Sequence, residues 1–177
     1  MKKIIYIILL MPLFSLSQIN LEAGFNTTSS DIDYSSYLLD GGSEGNFYFG
    51  VSYNFGMTEK FFLQPSILYS EEHLLMLGMV GYELSEKLNL MAGLGNANLP
   101  KSSLVYDKNM MGYSFGLSYK LNSNLNLLLR TYSDISNRAN KENWEEYAGL
   151  PTGYTPTWDD KIVASFSSIK LGLSYTF

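Results

Sequence analysis

The chain has 177 residues, no cysteine, and 12 basic against 17 acidic residues for a formal charge of −5. Without thiols no disulfide can stabilise it, and an acidic balance lacks the clustered Lys and Arg that nucleic acid or another phosphate-rich partner requires. Aromatic residues make up 15% of the chain, with 14 Tyr, 10 Phe and 15 Gly, a composition that favours β-structure with close backbone approaches.

The first segment, Met1-Lys2-Lys3 followed by the apolar run Ile4 to Phe14, has the layout of a secretory signal peptide. The run is eleven residues long and interrupted by Pro12, too short for a helix to cross a hydrocarbon core of about 30 Å. Small residues at Ser15 and Ser17 predict cleavage before Gln18, giving a leader at 1–17 and a single mature domain at 18–177. Cleavage removes Lys2 and Lys3 and leaves 10 basic against 17 acidic residues. With no cysteine after the cut, a lipid-anchored lipoprotein is not expected.

Downstream, no apolar stretch reaches the roughly 18 residues of a transmembrane helix. Instead apolar and polar residues alternate in about eight segments of roughly ten residues, the length of a tilted strand crossing an outer membrane. The first is Ile19 to Phe25, with Ile19, Leu21, Ala23 and Phe25 on one face. In Asn46 to Phe55, Phe47, Phe49, Val51, Tyr53 and Phe55 alternate with Tyr48, Gly50, Ser52 and Asn54. Phe61 to Ser70 sets Phe61, Leu63, Pro65, Ile67 and Tyr69 on one face. Leu74 to Leu84 is apolar on both faces in its middle; placing Leu74, Met76, Val80, Tyr82 and Leu84 outward turns Glu83 inward. Leu88 to Gly95, Met111 to Leu121, Leu125 to Asp134 and Ile169 to Phe177 complete the set.

Size fixes the direction of the two faces. The interior of an eight-stranded barrel is just wide enough for side chains to fill, and the large apolar residues of all these strands do not fit there together. The Gly, Ser and Asn set, with a few longer side chains, does. The bulky face is therefore predicted outward, which is untenable in water but required in lipid. The fold class is an all-β, transmembrane, eight-stranded antiparallel up-and-down β-barrel. The links support it, because short turns at Gly56 to Lys60, Ser85 to Lys87 and Asn122 to Asn124 alternate with Asn26 to Gly45, a brief link near Glu71 to His73, Asn96 to Asn109 and a long loop from Ile135 to about Lys161. Aromatics gather at strand ends as interface girdles do: Phe55, Phe61, Tyr82, Tyr119, Tyr175 and Phe177 at one end, Phe25, Phe47, Tyr69 and Tyr113 at the other.

The terminal Leu171-x-Leu173-x-Tyr175-x-Phe177 resembles the last-strand signal of bacterial outer-membrane barrels, the segment read by their assembly machinery. The stretch from Phe62 to Ser70 resembles a strand common in the PorT-like outer-membrane β-barrel families, departing from it at Ser66 and Ile67. These resemblances imply a Gram-negative outer-membrane location, an architecture similar to the OmpA transmembrane domain, and no catalytic residues or cofactor.

Glu22, Glu83, Lys120, Arg130 and Lys170 are all predicted inward, where charges must be paired or wetted. Glu22 and Lys170 can meet when the first and last strands close the barrel, with Arg130 one strand further on; a plug of ion pairs is favoured over a gated ion path because eight strands leave little bore. Passage of small solutes depends on Phe62, Met91, Tyr132 and Phe166 leaving the bore open. His73, the lone histidine, stands beside Glu71 and Glu72 and near Ser70; a Ser, His and acid arrangement would make a lipid hydrolase, and the plainer reading is an interfacial side chain in a hairpin loop. No Cys/His cluster or calcium-loop spacing marks a metal site.

The long loop carries Trp144, Tyr147, Tyr154 and Trp158 among acids, aromatics that order the loop or contact a sugar or protein partner. With Asp31, Asp33, Asp40 and Glu44 the outer rim is acidic, a charge that divalent cations would bridge to anionic glycolipid. The expected role is a small non-enzymatic barrel, porin-like in form, that meets outer-membrane lipid and glycolipid, the assembly machinery and a partner in a larger envelope complex. A lipid-modifying enzyme and a narrow solute pore are the alternatives.

Overall fold

The computed structural model describes residues 18–34, 37–39, 43–99, 109–135 and 162–177. The expected leader, and Trp144, Tyr147, Tyr154 and Trp158, lie outside them. The strands are β1 (Gln18–Tyr34), β2 (Tyr37–Leu39), β3 (Ser43–Gly56), β4 (Phe61–Ser70), β5 (Leu74–Glu83), β6 (Leu88–Asn98), β7 (Asn109–Lys120), β8 (Leu125–Asp134) and β9 (Ile162–Thr176). β2 is a three-residue strand folded back on the end of β1. The other eight pair antiparallel in chain order, and β9 pairs with β1 to close the barrel.

The stagger of that closure follows from the register. Pairing leads from Asn20 through Ser52, Ser66, Leu77, Gly95 and Gly112 to Asp134, whose carboxylate accepts the amide of Phe166. Phe166 in turn pairs with Ser30, so one circuit returns to β1 ten residues further along. With standard rise and strand spacing this corresponds to a strand tilt of about 40°.

The two faces are inverted relative to a water-soluble barrel. Large apolar residues point outward on every wall, with Phe47, Phe115 and Leu171 all at least half exposed. Inside lie Asn20, Glu22, Ser52, Gln64, Ser114, Ser118, Ser168 and Ser174. The outward choice of Met76 and Val80 on β5 holds. Because its inward set is Leu75, Leu77 and Met79, these join Leu68, Met91, Tyr132 and Phe166 in a small apolar core within the lumen. Polar residues therefore fill only part of the interior.

Ring packing supports the strand-end girdles. Phe25 packs edge-on against Phe47 at 4.8 Å and Phe49 against Tyr69 at 5.2 Å toward one end, while Phe61 meets Tyr82 at 4.9 Å and Tyr175 meets Phe177 at 5.1 Å toward the other. The short turns share one cap. Thr58 Oγ1, Ser85 Oγ and Asn122 Oδ1 each accept the amide three residues on, from Phe61, Leu88 and Leu125. A short polar side chain so placed mimics a turn carbonyl and fixes where the next strand starts.

Several strand limits differ from expectation. β1 continues through Tyr34 rather than ending at Phe25, so most of the expected loop from Asn26 to Gly45 is strand, and β9 begins at Ile162, where the last long loop was expected to end, ahead of the alternating segment from Ile169. β3 begins at Ser43 and β6 runs to Asn98. The cause is that β1 stays hydrogen-bonded to β9 out to Tyr34 and to β3 out to Ser29. Beyond the apolar belt a ladder can continue without hydrophobic alternation to betray it. Asp31 and Asp33 thus belong to a strand, and Asp40 lies outside the described residues.

Candidate functional site

Among the described residues, buried charge gathers in the lumen. Inward positions of β1, β3, β4 and β8 meet in a first network. Arg130 Nη1 donates to Glu22 Oε2 at 2.8 Å and Nη2 to Oε1 at 3.3 Å, with both side chains almost wholly buried. Ser52 Oγ donates to the same carboxylate at 2.5 Å. Arg130 Nη2 also donates to Gln64 Oε1 at 2.9 Å, and Gln64 Nε2 donates to Asn54 Oδ1 at 2.7 Å. The fork geometry of guanidinium on carboxylate suits a site from which water is removed, because each charge is both paired and hydrogen-bonded.

A second network lies further along the tube. Lys170 Nζ reaches Ser168 Oγ at 2.7 Å, His73 Nε2 at 2.9 Å and Asn26 Oδ1 at 3.0 Å, three acceptors for the three protons of an ammonium. His73 Nδ1 faces Ser70 Oγ at 2.9 Å. With Lys170 protonated, an ammonium that only donates, Nε2 must accept, and the imidazole proton then sits on Nδ1, facing Ser70. Thr28 donates to Glu72 beside this cluster.

Two expectations are corrected here. Glu22 does not meet Lys170: closure pairs Glu22 with Ser174 and Asn26 with Lys170, four residues up β1, so the partner within reach of Glu22 is Arg130. His73 is not an interfacial loop side chain. It is fully buried, folded inward by the tight turn that joins Ser70 to Leu74, and its ring packs edge-on against Phe166 at 5.1 Å. The Ser70–His73 contact exists, but the other ring nitrogen faces the Lys170 ammonium where a hydrolase needs a carboxylate.

Glu83 and Lys120 differ from the other three charges. Both are exposed, and they line a cavity of about 360 Å³ at the end of the lumen that carries the three capped turns. Phe62, Met91 and Leu128 border it from within, and Tyr132 and Phe166 are buried further along. Tyr132 Oη donates to the carbonyl of Met110 at 2.9 Å on the neighbouring strand, which holds the ring against the inner wall over Gly112. On the outer face, Leu171, Leu173, Tyr175 and Phe177 project from β9 in one exposed row.

Sequence reasoning missed Gln64, Asn54, Asn26 and Ser168 as partners of these charges. For Gln64 and Asn54 the signal was present, since each has the inward parity of its expected strand, but parity names the face and not the neighbour; Asn26 and Ser168 lay just beyond the expected strand ends. Among the described residues no group of His, Cys, Asp and Glu is arranged to hold a metal ion.

No family model and no curated protein matches the chain. Among solved structures it is similar to the attachment invasion locus protein Ail of Yersinia pestis at 15% identity and a TM-score of 0.47, covering 91% of this chain and 99% of that one. It is also similar to OprG of Pseudomonas aeruginosa at 12% identity and a TM-score of 0.47, covering 91% and 96%. Neisserial surface protein A aligns at 12% identity with a TM-score of 0.44, covering 90% and 97%.

Proposed function

We propose that this chain is a non-enzymatic barrel of the outer membrane, exported with a cleaved leader, whose lumen is plugged and whose role is structural or interactive. The observation that carries this reading is the inversion of the faces around a closed sheet, with apolar residues outward on every wall and the Glu22–Arg130–Gln64 cluster inside. In water such a surface would drive aggregation, whereas in a bilayer it is the surface that lipid solvates. A closed sheet leaves no unpaired backbone within the hydrocarbon layer. Lipid and glycolipid are then its immediate partners. The row ending in Phe177 is the segment an assembly machinery would read, and the loop bearing Trp144 and Trp158 is the surface for a partner in the envelope. The resemblance of Phe62 to Ser70 to PorT-like barrels, which departs from that pattern at Ser66 and Ile67, supports an outer-membrane barrel without fixing its subfamily.

An enzymatic role finds less support, because Ser70 and His73 are buried within the tube and His73, which faces Ser70 through Nδ1, meets Lys170 rather than a carboxylate through Nε2. The test is twofold. The protein should fractionate with outer membranes and, purified into planar bilayers, give no stable large conductance. Recovery as a detergent-free soluble monomer, or a steady open channel, would overturn the reading.

A further inference from the structure

We infer that the short-turn mouth of the lumen is a binding site for a small amphoteric amine, a solute carrying one carboxylate and one or two ammonium groups, of the size of a diamino acid. The cavity there, about 360 Å³, lies within the range of small-ligand sites. It is blind. Gln64, hydrogen-bonded to Asn54 and to Arg130, forms part of its floor, and Phe62, Met91 and Leu128 complete it. A solute entering from this end therefore stops there.

The charges of the lining select the ligand. Glu83 ends β5, Glu86 sits in the following turn, and Lys120 ends β7 on the other side of Asn89. Asn89 pairs with Glu83 on one side and with Ser118 on the other, which puts the carboxylates and the ammonium on either flank of one amide. Among the described residues no ion pair joins Lys120 to Glu83 or Glu86. This contrasts with Glu22 and Arg130, which close on each other a few residues deeper. Two acids and one base facing a common space complement a molecule with two ammonium groups and one carboxylate, and a plain anion or plain amine meets only one side. Amides at Asn89 and Asn126 add donors and acceptors without a sign of their own. Inside a partly enclosed mouth such charge-assisted hydrogen bonds are stronger than on an open surface.

The experiment is a titration of L-lysine into isotope-labelled barrel in detergent micelles, followed by backbone amide shifts. Saturable shifts at Asn89, Ser118 and Asn126, with Ser70 and Ser168 unmoved, are expected. Lys120→Met and Glu83→Gln should each weaken binding by about tenfold, the loss of one charge-assisted contact. Heat-dependent gel mobility reports that each variant is folded, and Glu86→Gln, which alters only a turn residue, serves as the second acid variant. The proposal is overturned if lysine gives no saturable shift at the mouth, if glutamate shifts the same residues equally, or if cadaverine, which lacks a carboxylate, binds as tightly as lysine.

Discussion

Arg130 and Lys170 stand directly opposite each other on β8 and β9, yet their side chains serve different networks. Arg130 turns toward Glu22 and Gln64, and Lys170 turns toward Asn26, Ser168 and His73. Two like charges on facing positions repel unless each is drawn away by its own acceptors. The lumen is therefore organised as two clusters diverging from one row of the sheet.

Breaking the Glu22 pair should be the costliest polar change in the barrel. Arg130→Met leaves a carboxylate buried without its counter-charge, a loss of about 3–5 kcal/mol. The double variant Glu22→Leu with Arg130→Met removes both charges and should be more stable than Arg130→Met alone. Reversible urea unfolding in lipid vesicles measures both. If the double variant is as unstable as the sum of the singles, the two residues do not act as a pair.

Lys170→Met should cost less, about 1–3 kcal/mol, because it strands neutral acceptors rather than a charge. It also removes the donor that fixes the His73 ring. In the wild type, long-range proton–nitrogen correlation should find the imidazole proton on Nδ1, and in Lys170→Met a population with the proton on Nε2 should appear. An Nε2-protonated ring already present in the wild type would contradict the hydrogen-bond arrangement.

Inward rings find room where glycine faces them. A Cβ added to Gly81 would lie 2.0 Å from Cζ of Phe62, its paired residue on β4. Gly81→Ala should therefore destabilise the barrel by about 1–3 kcal/mol, the usual cost of overpacking. Adding Phe62→Ala should recover part of that loss, since the clash is with a side chain. Gly78, which has nothing within 4 Å of its Cβ position, is the control and should accept alanine with little change.

How much of this was legible in the sequence depends on the range of the interaction. The alternation of Phe47, Phe49 and Val51 with Tyr48, Gly50 and Ser52 carries the strand, its parity and, through the size of the interior, its direction. That Glu22, Arg130 and Lys170 are interior also followed from parity. Which of them meet did not, because the choice depends on the ten-residue stagger of closure, a property of all eight strand pairings together. His73 was misplaced because a three-residue link between Ser70 and Leu74 was read as an interfacial loop. Seated in so tight a turn, the residue before β5 shares the inward side of Ser70, and its ring enters the tube. The end of β1 was hidden because the polar ladder from Asn26 to Asp31 above the belt carries no hydrophobic signal.

The orientation of the faces is open to a direct test at Leu117, which points outward from β7 between the rings of Tyr113 and Tyr119 and is 40% exposed. At an exposed position of a water-soluble protein, Leu117→Arg would change stability by no more than about 0.5 kcal/mol. If hydrocarbon covers that position, the same substitution should cost about 2–4 kcal/mol near mid-bilayer and less toward the strand ends. A series placing Arg at Tyr113, Leu117 and Tyr119 should then show its greatest loss at Leu117, measured by urea unfolding in vesicles. A flat profile would mean that these side chains do not face lipid. The cost would peak in the middle because a guanidinium at Tyr113 or Tyr119 can extend to the polar boundary, whereas one at Leu117 must draw water into the apolar layer.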